Sequence, residues 1–165
     1  KQNAIKHNFM IQQNNLFKGM VPVVGRDKRG MYFDYPTAIT FGELTVEGSV
    51  GHEHYARLFG KARELFGIEC IPGFIDDVGK KYFLFTCRAE YSFSDNIFFG
   101  DNIIVRVWVS KAGESSFTLE GEFINGQGKV CATARHIIVY VDVATRQKGM
   151  PESFKKNMEN AIGEN

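Results

Sequence analysis

The chain has 165 residues, a formal net charge of +1, and apolar and charged fractions of 44% and 24%. These values indicate a single globular domain with a sizeable core, and they exclude disordered and fibrous classes. The near-zero charge provides no electrostatic footprint for nucleic acid. No apolar run approaches the roughly 18 residues that suggest a membrane-spanning helix, and the N-terminal region lacks an apolar signal-peptide segment.

Three cysteines are present, an odd number that argues against a disulfide framework. Cys70, Cys87 and Cys131 do not have the spacing of metal ligands. We therefore predict a cytoplasmic protein with no metal centre and no cofactor.

The N-terminal third predicts an arm followed by a hairpin and a strand. Residues 1–19 have weak periodicity and are assigned to the arm. Residues 20–24 and 31–35 flank a basic turn, residues 26–29, and can pair as a hairpin. Residues 35–45 are rich in β-branched and aromatic side chains, which predicts the next strand, with Pro36 confined to its beginning.

The segment 51–66 predicts the longest helix, because its apolar residues recur at helical spacing. Arg63 lies about 80° from Tyr55 around this helix, at the edge of the apolar face, since each residue turns roughly 100°. A loop is expected at residues 68–81. The apolar face comprises Tyr55, Leu58, Phe59, Ala62, Leu65 and Phe66.

Period-two alternation continues through four further runs, which predicts an antiparallel meander. The first run places alternate residues on one face: Phe83, Phe85, Cys87, Ala89, Tyr91 and Phe93. The second places Ile103, Val105, Val107 and Val109 together, and the third Phe117, Leu119 and Phe123. A hairpin at 125–128 leads to the fourth run, 130–143, and residues 151–163 predict a short helix.

These elements predict an α+β domain over residues 20–148, preceded by the arm and followed by a C-terminal segment, 149–165, whose helix packs on the domain or trails it. A single long helix cannot cover both faces of a sheet. The helix-free face and the sheet edges must therefore find a partner, so we expect a homodimer or a homotetramer built as a dimer of dimers.

The corner between strand and helix has the spacing Thr45-x2-Gly48-x2-Gly51-His52-x2-Tyr55-x7-Arg63. This spacing and the element order resemble hotdog-fold thioesterases of the 4-hydroxybenzoyl-CoA thioesterase superfamily, over roughly residues 32–145. In that fold an antiparallel β-sheet wraps a long central helix. Most members carry an acidic residue where this chain has Thr45. The helix segment 55–64 is similar to that of a branch lacking the acid, the thioesterases of enediyne polyketide biosynthesis, which carry Asn there.

The resemblance implies hydrolysis of an acyl thioester carried on coenzyme A or an acyl carrier protein. It implies that the backbone amide of His52 stabilises the oxyanion, and that Tyr55 and Arg63 are site residues. Without the acid, either Glu43 or Glu47 acts as base, or Thr45 and Tyr55 position the water. Gly48, Gly51 and Phe59 are assigned to substrate binding; the glycines permit the turn and a close approach of the thioester.

Other roles remain open for each of these residues. Tyr55 can be core filler, Arg63 can pair with a carboxylate, and His52 and Glu47 can be surface residues. Thr45 can merely satisfy a strand end.

Three functions remain open as well. A non-catalytic acyl-thioester-binding protein and a hotdog hydratase or dehydratase are the alternatives to hydrolysis. The basic turn at 26–29 is either solvated or contacts a phosphate of coenzyme A. We expect neither nucleic acid nor membrane as a partner.

Overall fold

The structure of the protein, a computed structural model, describes residues 20–163; the predicted arm lies outside them. The α+β architecture is confirmed. Six antiparallel strands form one sheet in the order β1-β2-β4-β5-β6-β3. The strands are β1 (Val23–Asp27), β2 (Gly30–Ala38), β3 (Tyr82–Phe93), β4 (Asn102–Ala112), β5 (Ser116–Asn125) and β6 (Val130–Asp142). The helices are α1 (His52–Cys70), α2 (Phe74–Asp77) and α3 (Glu152–Ala161), with a 3-10 turn at Phe41–Glu43.

The strand predicted at residues 35–45 is wrong beyond residue 38. The chain leaves the sheet after Ala38 because a capping box closes the 3-10 turn: Thr40 donates from its backbone N–H and its hydroxyl to the Glu43 carboxylate. Pro36 lies inside β2 rather than at its beginning. It is tolerated there because β1 pairs with β2 only up to Asp34, so one side of β2 is open at Pro36.

The core lies between α1 and the sheet. The predicted inward residues of β4 and β5 are buried, as is nearly all of the predicted apolar face of α1. Phe59 is completely buried, and its ring lies where a side chain on Gly121 of β5 would be. A Cβ at Gly121 would come within 2.3 Å of Phe59 Cε2. This missing side chain lets the helix approach the sheet closely.

A bulge in β3 overturns one predicted face. The register with β6 shifts between Thr86 and Arg88, so Cys87 is an additional residue in the strand. Because the side-chain period is two, one additional residue transfers the following side chains to the opposite face. Tyr82 and Thr86 thus share the inward face with Tyr91, whereas the sequence predicted Phe83 and Phe85 there.

The helical region after residue 66 is longer than predicted. α1 continues to Cys70, and part of the predicted loop forms α2. The ring of Phe74 occupies the space that a side chain on Gly67 would need. α3 packs on the domain, with Phe154 against Tyr82 and Tyr140. None of the helices within residues 20–163 is long and apolar enough to cross a membrane.

The helix-free face of the sheet is polar around β2, β4 and β5, and apolar where Phe83 and Phe85 of β3 lie opposite Val141 and Val139 of β6. Cross-strand ion pairs join Asp34 to Arg106 at 2.6 Å and Arg29 to Glu122 at 2.9 Å. An antiparallel sheet can expose one such face to water. The polar half of this face does not by itself demand a partner, and the homo-oligomer expected from the sequence stays a prediction.

One polar cluster lies under α1, on the otherwise apolar face. His136 of β6 is 5% exposed. Its Nδ1 lies 3.1 Å from Arg63 Nη1, and its Nε2 lies 2.7 Å from the Tyr91 hydroxyl. Burial, together with the charge of Arg63, lowers the pKa of His136 from 6.5 to about 4. The imidazole is thus neutral at neutral pH.

Neutral His136 predicts a specific pH dependence of stability. Below pH 6.5 the unfolded chain takes up a proton at this residue, whereas the folded chain resists protonation down to a pKa of about 4. Its contribution is therefore complete above pH 6.5 and is lost as the pH falls towards 4. Substituting Gln, which keeps one acceptor and one donor, removes this titration. We expect the His136→Gln variant to lose about 2 kcal/mol less stability than wild type between pH 6.5 and pH 4.5.

Urea unfolding at both pH values measures the difference. Identical losses in the two proteins would contradict a buried neutral histidine.

Candidate functional site

The segment between β2 and α1 fixes where the helix begins. Gly51 N donates to Glu43 O at 3.0 Å, and Val50 N donates to Ile97 O at 2.8 Å. The start of α1 is therefore tied both to the 3-10 turn and to the segment that precedes β4.

The first amides of α1 are unpaired. Within residues 20–163, the backbone N–H groups of His52 and Glu53 have no acceptor, whereas His54 N donates to Gly51 O at 3.0 Å. Such a helix terminus carries partial positive charge and suits an anion. The His52 side chain is 87% exposed. His52 thus offers its backbone N–H to the site, while its imidazole faces solvent.

Thr45 begins a tight turn immediately before the helix. Its backbone N–H donates to Ser49 O at 2.8 Å, and Gly48 N donates to Thr45 O at 3.0 Å. Gly48 has φ +81°, where a side chain would be strained. Gly51 has an ordinary φ of −66°, and a Cβ there would meet only the flexible carboxylate end of Glu53. Only Gly48 is thus required by the turn.

The two glutamates near this turn differ in availability. Glu43 is buried and accepts from Thr40 and, at 2.6 Å, from Arg57 Nη2. Burial raises the pKa of Glu43, but these hydrogen bonds outweigh it and leave the pKa below its usual value. Glu47 is exposed, and the nearby Thr45 hydroxyl lowers the pKa of its carboxyl. Glu43 is therefore engaged in structure, while Glu47 remains open to a ligand.

Tyr55 is both a core residue and a hydroxyl donor near the helix start. It is 3% exposed and packs edge-on against Phe93 and Phe123, with ring centroids 4.9 Å apart in each case. Burial raises the pKa of Tyr55. Its hydroxyl has no partner within residues 20–163, and it is not fully buried, since Ser110 Oγ is the one fully buried side-chain polar atom there without a partner. The hydroxyl thus remains protonated and available.

Arg63 lies far from the other predicted site residues. It is eleven residues beyond His52, which is about 16 Å along the helix at 1.5 Å per residue. Arg63 Nη1 donates to Thr86 Oγ1 at 2.5 Å and to His136 Nδ1. The expected alternative, a carboxylate partner, is not found within residues 20–163. The predicted site residues therefore do not form one cluster within a protomer.

A cavity of about 540 Å³ opens beside Arg63. It lies between the C-terminal half of α1, α2 and β3, and its lining is largely apolar. Arg63 and Glu64 are its only charged lining residues in the described part of the chain. Phe59, predicted to bind substrate, instead packs in the core against His136 and Phe123.

Sequence reasoning missed the cluster around Arg63. His136, Tyr91 and Thr86 contact one another or Arg63 across 23 to 73 residues of chain. One local signal was present: a histidine occupies an inward position of the alternating strand β6. A buried polar side chain normally has hydrogen-bond partners, so this position could have directed attention to the cluster.

Aromatic side chains surround the helix start. Phe41 and Phe99 stack with ring centroids 4.0 Å apart, although both rings are exposed. Phe98 and Val46 are exposed nearby in the same connecting segments. The helix start therefore opens onto an apolar surface.

The two arginines of the basic turn, residues 26–29, bind to other groups of the protein. Arg29 pairs with Asp27 and Glu122 and lies over the Trp108 ring, 4.5 Å from its centroid. Arg26 Nη2 donates to Asn160 O at 2.7 Å. The two arginines are thus engaged within the protein. Among the described residues, no group of His, Cys, Asp or Glu side chains is arranged to hold a metal ion.

Several solved structures share this architecture. The dynemicin thioesterase, described with polyene binding, is 18% identical with a TM-score of 0.70, covering 78% of this chain and 95% of its own. A Staphylococcus aureus protein in complex with CoA is 14% identical with a TM-score of 0.73, covering 86% and 91%. A gentisyl-coenzyme A thioesterase is 24% identical with a TM-score of 0.66, covering 77% and 99%.

These likenesses confirm the predicted hotdog fold. No curated protein matches the chain. The model of the thioesterase-like superfamily matches residues 39–158. Because this match spans well over half of the chain, the protein belongs to the thioesterase-like superfamily.

Proposed function

We propose that the protein hydrolyses an acyl thioester to a free acid and a thiol. The observation that carries this proposal is the unpaired amide terminus of α1, beside Tyr55, in a chain of the thioesterase-like superfamily. Water adds to the thioester carbonyl carbon, and the carbonyl oxygen becomes an oxyanion as the new C–O bond forms. Collapse of this intermediate breaks the C–S bond, and the thiolate leaves and takes up the proton from the attacking water.

The His52 backbone N–H serves as the oxyanion donor. A fixed donor stabilises charge that develops in the transition state, and losing one such donor typically costs about 10²–10³ in rate. The helix terminus supplies this donor without a particular side chain. The Tyr55 hydroxyl, protonated and unpaired among the described residues, orients the carbonyl or the water.

Water activation is the weaker part of this site. Of the two glutamates near the turn, Glu43 is occupied by Thr40 and Arg57, so Glu47 is the one that remains to accept a proton from water. The nearby Thr45 hydroxyl lowers the pKa of the Glu47 carboxyl, which makes Glu47 a weak base. Hydrolysis is therefore expected to be slow and to depend on positioning.

The carrier of the acyl group is coenzyme A or an acyl carrier protein. Structures similar to this one include two in complex with coenzyme A, the Staphylococcus aureus protein and a thioesterase from Thermus thermophilus. Internal engagement of Arg29 with Asp27 and Glu122 leaves less positive charge for coenzyme A phosphates. This engagement favours the carrier protein, so both carriers belong in the first assay.

Non-catalytic acyl-thioester binding is the second candidate function. It is favoured by the absence of a carboxylate at Thr45 together with the occupied state of Glu43. A protein that binds thioesters without turnover would match this candidate.

We further propose that two copies pair through β3. This strand ends the sheet, and its second edge has no partner among residues 20–163. Its twelve residues are long for an exposed edge, and Phe85 and Phe93 are each about half exposed on it. A long apolar edge is a template for pairing with another strand.

The first test measures free-thiol release by the purified wild-type protein across a panel of acyl-CoA and acyl-carrier-protein thioesters. We expect turnover of at least one member and about a tenfold lower kcat in Tyr55→Phe, since that variant loses one hydrogen bond to the reacting group. Tyr140→Phe is the matched control, because Tyr140 is buried among Tyr82 and Phe154. A folded protein that binds the panel without releasing thiol would favour the second candidate.

Replacing Thr45 with Asp tests whether the corner retains a geometry that an acid can use. We expect Thr45→Asp to raise kcat by roughly 10² or more, because a positioned general base contributes about 10²–10⁴. Thr45→Asn, similar in size but uncharged, is the control and should show no comparable gain. Steady-state thiol release by the three proteins decides; equal rates in Asp and Asn variants would reject a vacant base position.

Sedimentation velocity tests the pairing through β3. Wild type should sediment as a dimer or a larger oligomer, and Phe85→Glu should shift it towards monomer, because the introduced charges would be buried in the interface. Val23→Glu, on the opposite edge strand β1, is the control. A shift with Val23→Glu alone would place the interface at β1, and a monomeric wild type would end the proposal.

A further inference from the structure

We propose that the cavity beside Arg63 binds a carboxylate that carries an apolar chain, such as a free fatty acid. This ligand class goes beyond the reaction, although its chemistry is that of the acid which the proposed hydrolysis releases. Its identity as a product rests on the proposed function, whereas its binding does not.

The cavity has the size and lining of a small-molecule site. Its volume of about 540 Å³ lies within the range of about 300–1,000 Å³ that is typical of ligand pockets. Apolar side chains from α1, α2 and the sheet form most of the wall: Ile71, Phe74, Val78, Leu84, Leu119 and Ile138. Exposed Ile68, Ile75 and Phe85 mark the open side. An apolar chain that enters this cavity exchanges water for these side chains.

Arg63 supplies the polar recognition. Five other arginines in the described part of the chain pair with carboxylates: Arg29, Arg57, Arg88, Arg106 and Arg135. Arg63 is half-buried, yet within residues 20–163 it contacts only the neutral groups of Thr86 and His136. A half-buried cation without a counter-ion favours an anionic ligand.

The neighbouring residues determine which donors of Arg63 remain. Both described hydrogen bonds use Nη1, so Nε and Nη2 have no partner within residues 20–163. A guanidinium only donates, so His136 Nδ1 accepts. Neutral His136 must then carry its proton on Nε2, which donates to the Tyr91 hydroxyl oxygen. The hydrogen bonds to Thr86 and His136 hold Nη1 of the guanidinium in place. Nε and Nη2 then remain as a pair of donors that matches the two oxygens of a carboxylate.

The remaining charge in the wall is the carboxylate of Glu64. Glu64 is exposed at the cavity, so its charge is hydrated and weakened by solvent screening. Arg63 is the less exposed of the two. The carboxylate of the ligand therefore belongs at Arg63, with its chain along the apolar wall.

Equilibrium binding of decanoate and of decanol tests the proposal, because the two chains match and only the charge differs. Displacement of a fluorescent apolar probe reports both affinities. Wild type should bind decanoate at least about tenfold more tightly than decanol, as expected for hydrogen bonds to a charged group. Arg63→Gln should abolish this preference while it leaves decanol affinity within about twofold.

Lys61→Gln is the matched control. Lys61 lies two residues earlier on α1, near the Tyr35 ring, and does not line the cavity. It should retain the wild-type preference. Leu84→Trp fills the cavity from a half-buried lining position and should weaken both ligands.

Three outcomes would overturn the proposal: equal binding of acid and alcohol by wild type, a preference that survives Arg63→Gln, or no binding of either ligand. Neither ligand is a thioester, so the result does not depend on hydrolysis. Selective binding of decanoate without thiol release would support this site and contradict the proposed reaction. Thiol release without selective binding of decanoate would support the reaction and contradict this site.

Discussion

The close approach of α1 to the sheet is the constraint on which the rest of the structure depends. Phe59 occupies the space that Gly121 leaves empty, and a Cβ there would also lie 2.6 Å from Arg106 O. No small rotation of the ring could relieve a contact with backbone. The packing of Phe59 therefore fixes the height of α1 above β5, and because a helix is rigid it also fixes both ends of the helix. One end offers unpaired amides, and the other borders a cavity.

The two ends differ in chemistry because their surroundings differ. At the start of α1, the Glu43 carboxylate accepts hydrogen bonds from Thr40 and Arg57. These bonds stabilise the 3-10 turn, but they leave this buried carboxylate unable to act as a base. Towards the other end, neutral His136 takes the place that a carboxylate commonly occupies opposite an arginine. The first arrangement suits an oxyanion and the second suits a carboxylate. Both are anions, although the exposed carboxylate of Glu53 lies near the helix start and that of Glu64 borders the cavity.

Much of the fold was predictable because it depends on local periodicity. Alternation identified the buried faces of β4 and β5, and helical spacing identified that of α1. The bulge at Cys87 was not predictable, because one additional residue leaves a plausible alternation in place while it reverses the face. The capping box from Thr40 to Glu43 does have a recognisable spacing and could have ended the strand prediction at residue 38. The contact between Arg63 and His136 could not be found from one sequence, since spacing along the chain gives no information about side chains 73 residues apart.

The separation of Arg63 from His52 has a consequence for the proposed dimer. Within one protomer, about 16 Å of helix separates them, so a single thioester group cannot contact both. Pairing of two β3 strands about a twofold axis perpendicular to the sheet places both copies of α1 on the same face and reverses one relative to the other. The oxyanion terminus of one copy then faces in the same direction as the cavity end of its partner. In such a dimer, residues that are distant within one chain can come from opposite copies and serve one site, with His52 from one copy and Arg63 from its partner.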